Sequence, residues 1–119
     1  LTEEFDGTNW TTGGALNLSR KGLSSSGNSQ TACLVFGGNA SNAVNPSTYS
    51  GYTEAYDGTS WTSRPSMATG RDGVGGSYAG TTSAAWVAGG YLGPPGQTNA
   101  VEEFTGETTA INIEDFTTS

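Results

Sequence analysis

Histidine is missing from this sequence of 119 residues. Its absence removes the usual general base, the serine–histidine arrangement of many hydrolases and most transition-metal sites. A single cysteine, Cys33, excludes an internal disulfide, and its place in an apolar run is typical of a small core residue. We therefore expect no enzyme activity, no cofactor and no metal site.

Basic residues are also few: four Lys or Arg stand against eleven Asp or Glu, which gives a net charge of −7. Binding to phosphate backbones depends on clustered basic side chains, so we expect no nucleic-acid partner. No apolar run approaches the roughly 18 residues of a membrane helix, and no basic segment followed by an apolar one opens the sequence. These absences predict neither membrane insertion nor a signal peptide.

Glycine, in contrast, is abundant, with 19 copies, whereas only 33% of the residues are hydrophobic. Glycine adopts the positive φ angles of tight turns and destabilises helices, so this composition favours many short strands joined by turns. The length suits one domain with a modest core. We predict an all-β fold.

One stretch of the chain occurs three times, and its third copy is degenerate. The copies are Glu3–Thr11, Glu54–Thr62 and Glu102–Thr108. From Asp6 to Asp57 the offset is 51 residues (57 − 6), and from Trp10 to Trp61 it is 51 again (61 − 10). A period of about 50 residues indicates a repeat architecture.

Three further pairs of positions keep this register with small changes of offset. Arg20 and Arg71 are 51 residues apart (71 − 20), the double glycines Gly37-Gly38 and Gly89-Gly90 are 52 apart (89 − 37), and Glu54 and Glu102 are 48 apart (102 − 54). The changes of length therefore fall between the predicted strands, in loops.

A complete repeat unit holds four short runs that we predict to be strands, and the second unit keeps three of them. They are Leu23–Gly27, Ala32–Phe36, Thr53–Tyr56 and a strand from Trp61 in the first unit, Val74–Ala79, Ala84–Ala88 and Val101–Phe104 in the second, and Thr2–Phe5 and a strand from Trp10 before both. The second strand of each unit is a nearly continuous apolar run, so we expect it to be central and buried on both faces. The Asp-Gly pairs between the third and fourth strands predict hairpins.

In order along a unit, the residues resemble a kelch repeat: Arg-x-Gly, two apolar strands, Gly-Gly, a variable loop, Tyr-Asp and then Trp. The matching residues are Arg20, Gly22, Gly37, Gly38, Tyr56, Asp57 and Trp61, then Arg71, Gly73, Gly89, Gly90 and Phe104. The resemblance implies a galactose-oxidase-like β-propeller with blades of four antiparallel strands. The copper-binding histidines of some such propellers have no counterpart here, in agreement with a non-enzymatic protein.

This resemblance predicts a domain organisation. Residues 1–12 are the outer strands of a preceding blade, 13–63 a complete blade, 64–108 a second, shortened blade, and 109–119 a C-terminal tail or degenerate final strand. Two full blades with partial ones cannot close a ring, and an open array would expose strand edges. We expect either other copies of the chain or the missing part of a longer chain to complete it.

The segment Thr2–Trp10 and the Phe-Gly-Gly sequence are also similar to kelch-type structural proteins of marine bacteriophages. This resemblance implies a virion or extracellular location, a tail or fibre-type protein, other virion proteins as partners, and a host-surface glycan or protein as ligand. One alternative is a purely architectural assembly or decoration module. Another is a secreted carbohydrate-binding propeller or glycan hydrolase, although neighbouring carboxylates such as Glu102 and Glu103 point to opposite faces of a strand.

Charged residues at equivalent positions of the repeat are predicted to have structural roles. We predict that Asp6 and Asp57 form Asx-type turns, in which the carboxylate accepts backbone N–H groups, rather than calcium or ligand sites. We predict that Arg20 and Arg71 pair with nearby carboxylates or carbonyls rather than contact a substrate.

The tryptophans are expected to be packing residues. Trp10 and Trp61 occupy equivalent positions of the repeat. A large side chain that recurs once per blade is expected to fill the space between neighbouring blades. Trp86 stands where the first unit has Leu34, so we predict that it too belongs to the core.

The loops that join the second and third strands, Asn39–Tyr52 and Tyr91–Ala100, break the repeat. Loops on a rigid scaffold tolerate variation and carry recognition. The candidate ligand or partner residues are Asn42, Tyr49, Tyr52, Tyr91, Pro94 and Pro95. Tyr and Asn could stack on and hydrogen-bond sugars or protein surfaces. The alternative is that these loops merely connect strands or contact a neighbouring subunit.

Overall fold

The computed structural model describes residues 1–40, 48–94 and 96–105, and in these ranges it contains nine β-strands and no helix. The strands are β1 (Glu3–Phe5), β2 (Trp10–Thr12), β3 (Ser24–Ser29), β4 (Ala32–Phe36), β5 (Thr53–Tyr56), β6 (Trp61–Arg64), β7 (Gly75–Gly76), β8 (Ala85–Ala88) and β9 (Val101–Phe104). The predicted tail, 109–119, lies outside the described residues.

The strands form three antiparallel sheets in which every neighbour in space is also a neighbour in sequence. Their orders are β1-β2, β3-β4-β5-β6 and β7-β8-β9. The prediction of an all-β fold of antiparallel strands is confirmed, and β4 and β8 are central in their sheets as expected. Hairpin connections of this kind follow from the frequent turn residues between short apolar runs.

The second and third sheets share one register. Val35 of β4 lies opposite Glu54 of β5, and Val87 of β8 lies opposite Glu102 of β9. Because side chains alternate between the two faces of a strand, equal registers place equivalent residues on equivalent faces. The repeat seen in the sequence is therefore also a repeat of strand pairing.

The core lies between these two sheets. The second sheet contributes alternate residues of β4 and one residue of β5. The third sheet contributes alternate residues of β8 and the residue just before β7. The buried cluster is Leu34, Phe36, Ala55, Val74, Ala85 and Val87, with Met67 and Phe104 partly buried against it. Burial of this apolar surface is the main force that holds the two sheets together.

The two faces of β8 differ in burial, in contrast to the prediction of burial on both faces. Leu34 is 0% exposed because the third sheet covers it, whereas its counterpart Trp86 is 47% exposed. No sheet among the described residues covers the Trp86 side of β8. The prediction of a core position for Trp86 is therefore wrong in this structure, although β4 itself is buried as expected.

The backbone of β3, the first strand of the first unit, contacts the segment that follows β7 in the second unit. Ser26 and Tyr78 form a parallel bridge, in which the Gly27 amide donates to the Tyr78 carbonyl at 2.9 Å and the Tyr78 amide donates to the Ser25 carbonyl at 3.2 Å. Tyr78 has a φ of 47°, a rare conformation for a residue with a side chain. β7 ends at Gly76, two residues before Tyr78, whereas the longer strand Val74–Ala79 was predicted.

Candidate functional site

Two equivalent hairpin turns are closed by aspartate. The Oδ1 atom of Asp6 accepts hydrogen bonds from the amides two and three residues on, both at 2.8 Å, and that of Asp57 does the same at 2.8 and 2.9 Å. These amides, the one three residues on most strongly, lower the pKa of both carboxyls. Both carboxylates are thus engaged by their own turns.

Trp61 and Trp10 have the same local geometry and different surroundings. The ring of Trp61 lies 4.8 Å from that of Tyr56, and its Nε1 donates to Thr2 Oγ1 and to the carbonyl of Gly14, each at 3.0 Å. Trp61 therefore joins the second sheet to the β1–β2 hairpin.

The ring of Trp10 lies 5.1 Å from that of Phe5, yet 66% of the residue is exposed. No described segment lies beside it in the way that the β1–β2 hairpin lies beside Trp61. The structure therefore places Trp10 at the surface instead of the packed position that the repeat predicts.

Arg20 is held by a buried network at the end of β4. Its Nη1 lies 2.6 Å from Glu54 Oε2, and both side chains are completely buried. Its Nε donates to the Gly37 carbonyl at 2.7 Å and its Nη1 to the Leu18 carbonyl at 2.9 Å. The segment before β3 is thereby fixed to the end of the sheet.

Glu54 gathers donors besides Arg20. The backbone and side-chain amides of Asn17 donate to Oε1 at 2.8 and 2.9 Å. Burial would raise the pKa of Glu54, but the hydrogen bonds from Arg20 and Asn17 outweigh it and hold the pKa below its ordinary value. Glu54 is therefore an ionised, fully engaged structural carboxylate.

The second unit contains a looser version of this network. Arg71 Nη2 lies 3.3 Å from Glu102 Oε2, and the arginine is fully buried while Glu102 is 24% exposed. The Ala68 amide, at the position of Asn17, donates to Glu102 Oε1 at 2.6 Å. The guanidinium nitrogens of Arg71 have no hydrogen-bond acceptor in the described part of the chain. Both arginines thus pair with carboxylates, and only the first is also saturated with hydrogen bonds.

The loops after β4 and β8 begin with the same backbone ladder. In each unit a residue before the first strand bridges a residue after the double glycine, which in turn bridges a residue further along the loop. The three positions are Lys21, Asn39 and Tyr49 in the first unit, and Asp72, Tyr91 and Gln97 in the second. We call these positions the loop frame. Their side chains differ at every position, and a cation in one unit becomes an anion in the other.

The two loop frames meet through tyrosine. The rings of Tyr49 and Tyr91 pack edge to face, with centroids 5.4 Å apart and an interplanar angle of 80°. Tyr49 also lies against Gly93, where an added Cβ would come within 2.8 Å of the ring. Burial, then the proximity of Tyr91 and Asp72, raises the pKa of Tyr49.

The other predicted loop residues are spread more widely. Tyr52 lies under Arg20, whose guanidinium carbon is 5.6 Å from the ring centroid, and its hydroxyl bonds Ser63 Oγ at 2.5 Å. Pro94 is exposed, and Asn42 and Pro95 lie outside the described residues. Of the four candidates that the structure describes, only Tyr49 and Tyr91 are brought together.

Sequence reasoning missed the remaining members of the loop frame. Lys21 and Asp72 share the offset of 51 residues (72 − 21), and Tyr49 and Gln97 share the offset of 48 (97 − 49). These offsets, which equal those of the repeat, were the sequence signal that could have identified the equivalent positions. Because the side chains differ, only the backbone pairing shows that the positions correspond.

An open groove lies beside the third sheet. Trp86 and Phe104 supply its aromatic surface, and Ser77, Glu103 and Thr105 supply polar groups. Trp86 and Glu103 lie opposite each other on the uncovered face. Glu103 stands where the second sheet has Ala55, so the uncovered face is more polar than its covered counterpart.

Within the ranges that the structure describes, no three His, Cys, Asp or Glu residues are grouped to hold a metal ion. No helix in those ranges is long and apolar enough to cross a membrane. Comparison with protein-family models finds no match, and comparison with curated proteins finds none either.

Proposed function

We propose that the chain is part of a kelch-like β-propeller in which each antiparallel sheet is one blade. The four-stranded meander β3–β6 and the equal registers of the second and third sheets support this architecture. On this proposal the β1–β2 hairpin is the outer half of a preceding blade. Other copies of the chain or further residues of a longer chain complete the ring.

Within that architecture, we propose a non-enzymatic structural and binding module of a virion protein of the tail or fibre type. It presents the loop frames to a host surface or to another virion subunit. The observation that carries this proposal is the shared backbone ladder with different side chains: Lys21, Asn39 and Tyr49 against Asp72, Tyr91 and Gln97. A constant scaffold with variable side chains is the usual arrangement of a recognition surface.

The chemistry of the loop frames suits a glycan or a polar protein surface. Tyr49 and Tyr91 offer aromatic edges and hydroxyl groups, and the carboxylate of Asp72 lies close enough to influence the pKa of Tyr49. Aromatic rings pack on the C–H faces of sugars, while hydroxyl and carboxylate groups bond sugar hydroxyls. The fold alone does not select this function, since propellers serve many.

Binding is tested by retention of the purified chain on host cells and on an array of bacterial surface glycans. Tyr91→Ala should weaken retention about fivefold, the effect of losing about 1 kcal/mol of aromatic contact. Tyr78→Ala is the control, because it removes an exposed tyrosine outside the loop frames. Equal retention of the wild type and both variants would exclude the loop frames as the binding site.

An architectural role is favoured by the position of the Tyr49–Tyr91 contact between two units. Tyr49 and Tyr91 belong to successive units and are half-buried against each other, so part of each aromatic surface already holds two units together. If the module is purely architectural, no glycan will retain it, and Tyr91→Ala will lower the thermal midpoint of unfolding. Retention on glycans that Tyr91→Ala abolishes without a change of midpoint would instead select binding.

A further inference from the structure

Glu3 occupies in β1 the position that Glu54 occupies in β5 and Glu102 in β9. The offset of 51 residues (54 − 3) is the offset of the whole repeat. The hairpins agree as well, since Phe5 pairs with Trp10 in the register in which Tyr56 pairs with Trp61. Glu3 is thus the third member of a set of equivalent carboxylates.

The other two members have the same three partners. Each pairs with an arginine from the segment before the first strand, Arg20 or Arg71. Each accepts a backbone amide three residues upstream of that arginine. Each lies opposite a valine on the second strand of its sheet.

Glu3 has none of these partners in the described part of the chain. Its side chain is exposed, and no ion pair or hydrogen bond reaches it there. Among the described residues β1 pairs with β2 alone, so in that part of the chain its other edge, which β5 and β9 use to bind the second strand of their sheets, is free. A free strand edge is a template for another strand.

We propose that the free edge of β1 is the docking site for the first half of another repeat unit. The occupant is an antiparallel pair of strands preceded by an arginine. The arginine binds the carboxylate of Glu3, and a valine of the second strand lies opposite Glu3. The pair completes a four-stranded sheet around the β1–β2 hairpin.

A unit joined ahead of Leu1 fits this edge better than a second copy does. In the described chain, both pairs that could serve, β3–β4 and β7–β8, are already bound to β5 and β9. Residues 13–51 placed directly before Leu1 would reproduce the spacing of the first unit, because Leu1, Thr2 and Glu3 align with Tyr52, Thr53 and Glu54.

The test is an extended chain in which residues 13–51 are repeated immediately before Leu1. Amide hydrogen exchange over residues 2–5 should slow by about tenfold or more relative to the original chain, because the free edge becomes paired. Glu3→Gln in the extended chain should reverse much of this protection. The same substitution in the original chain should change nothing, because no ion pair or hydrogen bond reaches Glu3 from the described residues. Arg20→Gln in the added copy should act like Glu3→Gln.

Unchanged exchange over residues 2–5 in the extended chain would overturn the proposal, as would protection that Glu3→Gln leaves intact. A third outcome concerns the source of the strands. If the original chain sediments as a dimer with residues 2–5 already protected, a second copy occupies the edge, and the assignment to a preceding unit is wrong.

Discussion

Arg20 and Glu54 are joined at 2.6 Å across 34 residues of sequence, and both side chains are wholly withdrawn from water. The pair links the segment before β3 to β5, the third strand of the same sheet, and so holds that segment against the sheet. Breaking a buried pair is costly because the remaining charge stays uncompensated in a medium of low dielectric constant.

We expect Arg20→Gln to destabilise the chain by about 3–5 kcal/mol, the usual cost of removing one partner of a buried pair. Lys21→Gln, which removes the neighbouring exposed cation, should cost less than about 0.5 kcal/mol. The free energy of unfolding, measured with urea for both variants, checks this prediction. Similar losses for the two variants would contradict a special role for the buried pair.

The same pair makes the free energy of unfolding depend on pH. Burial would raise the pKa of Glu54, yet hydrogen bonds from Arg20 and Asn17 lower it below the ordinary value of 4.5. Because the folded-state pKa is lower than the unfolded one, the ionised carboxylate stabilises the fold above the unfolded pKa. That contribution is lost as the pH falls through the folded pKa.

Unfolding should therefore become easier as the pH falls below about 4.5. Asp6 and Asp57, whose pKa values are also lowered, act in the same direction. Carboxyl-carbon NMR titration should place the Glu54 midpoint below 4.5. A midpoint at or above that value would show that burial, not hydrogen bonding, dominates.

The strand positions could be predicted because their signals are local. β4, β5 and β9 have the predicted bounds, since β4 is a short apolar run and β5 and β9 are copies of one repeated segment, each followed by turn residues. β7 is shorter than predicted, and Tyr78, which the prediction included in the strand, adopts a positive φ that no property of its side chain announces.

The environment of equivalent residues could not be predicted, because it depends on what covers each sheet. Trp86 and Leu34 align in the sequence, and only the position of the third sheet makes one buried and the other exposed. The loop frame was equally hidden, since Lys21 and Asp72 share a backbone position and no side-chain property.

The two Asx turns give a matched pair of glycines. Gly7 has a φ of 101° and Gly58 a φ of 98°, so alanine is strained at both. A Cβ on Gly7 would meet nothing within 4 Å, whereas one on Gly58 would lie 2.9 Å from Thr31 Cγ2. We expect Gly7→Ala to cost about 1 kcal/mol and Gly58→Ala about 1 kcal/mol more. Thermal unfolding of the two variants measures the difference, and equal losses would show that Thr31 moves aside freely.

Leu34 and Trp86 offer the sharpest comparison between a covered and an uncovered sheet face. Leu34→Ala should cost about 2–5 kcal/mol, because it leaves a cavity between two packed sheets. Trp86→Ala removes a larger side chain, yet we expect a loss below about 1.5 kcal/mol, since nearly half of that residue already contacts water. Urea unfolding of both variants checks the order. If Trp86→Ala costs as much as Leu34→Ala in the isolated chain, another sheet must cover Trp86 in solution, and the sedimentation mass of the wild type would then exceed that of a monomer.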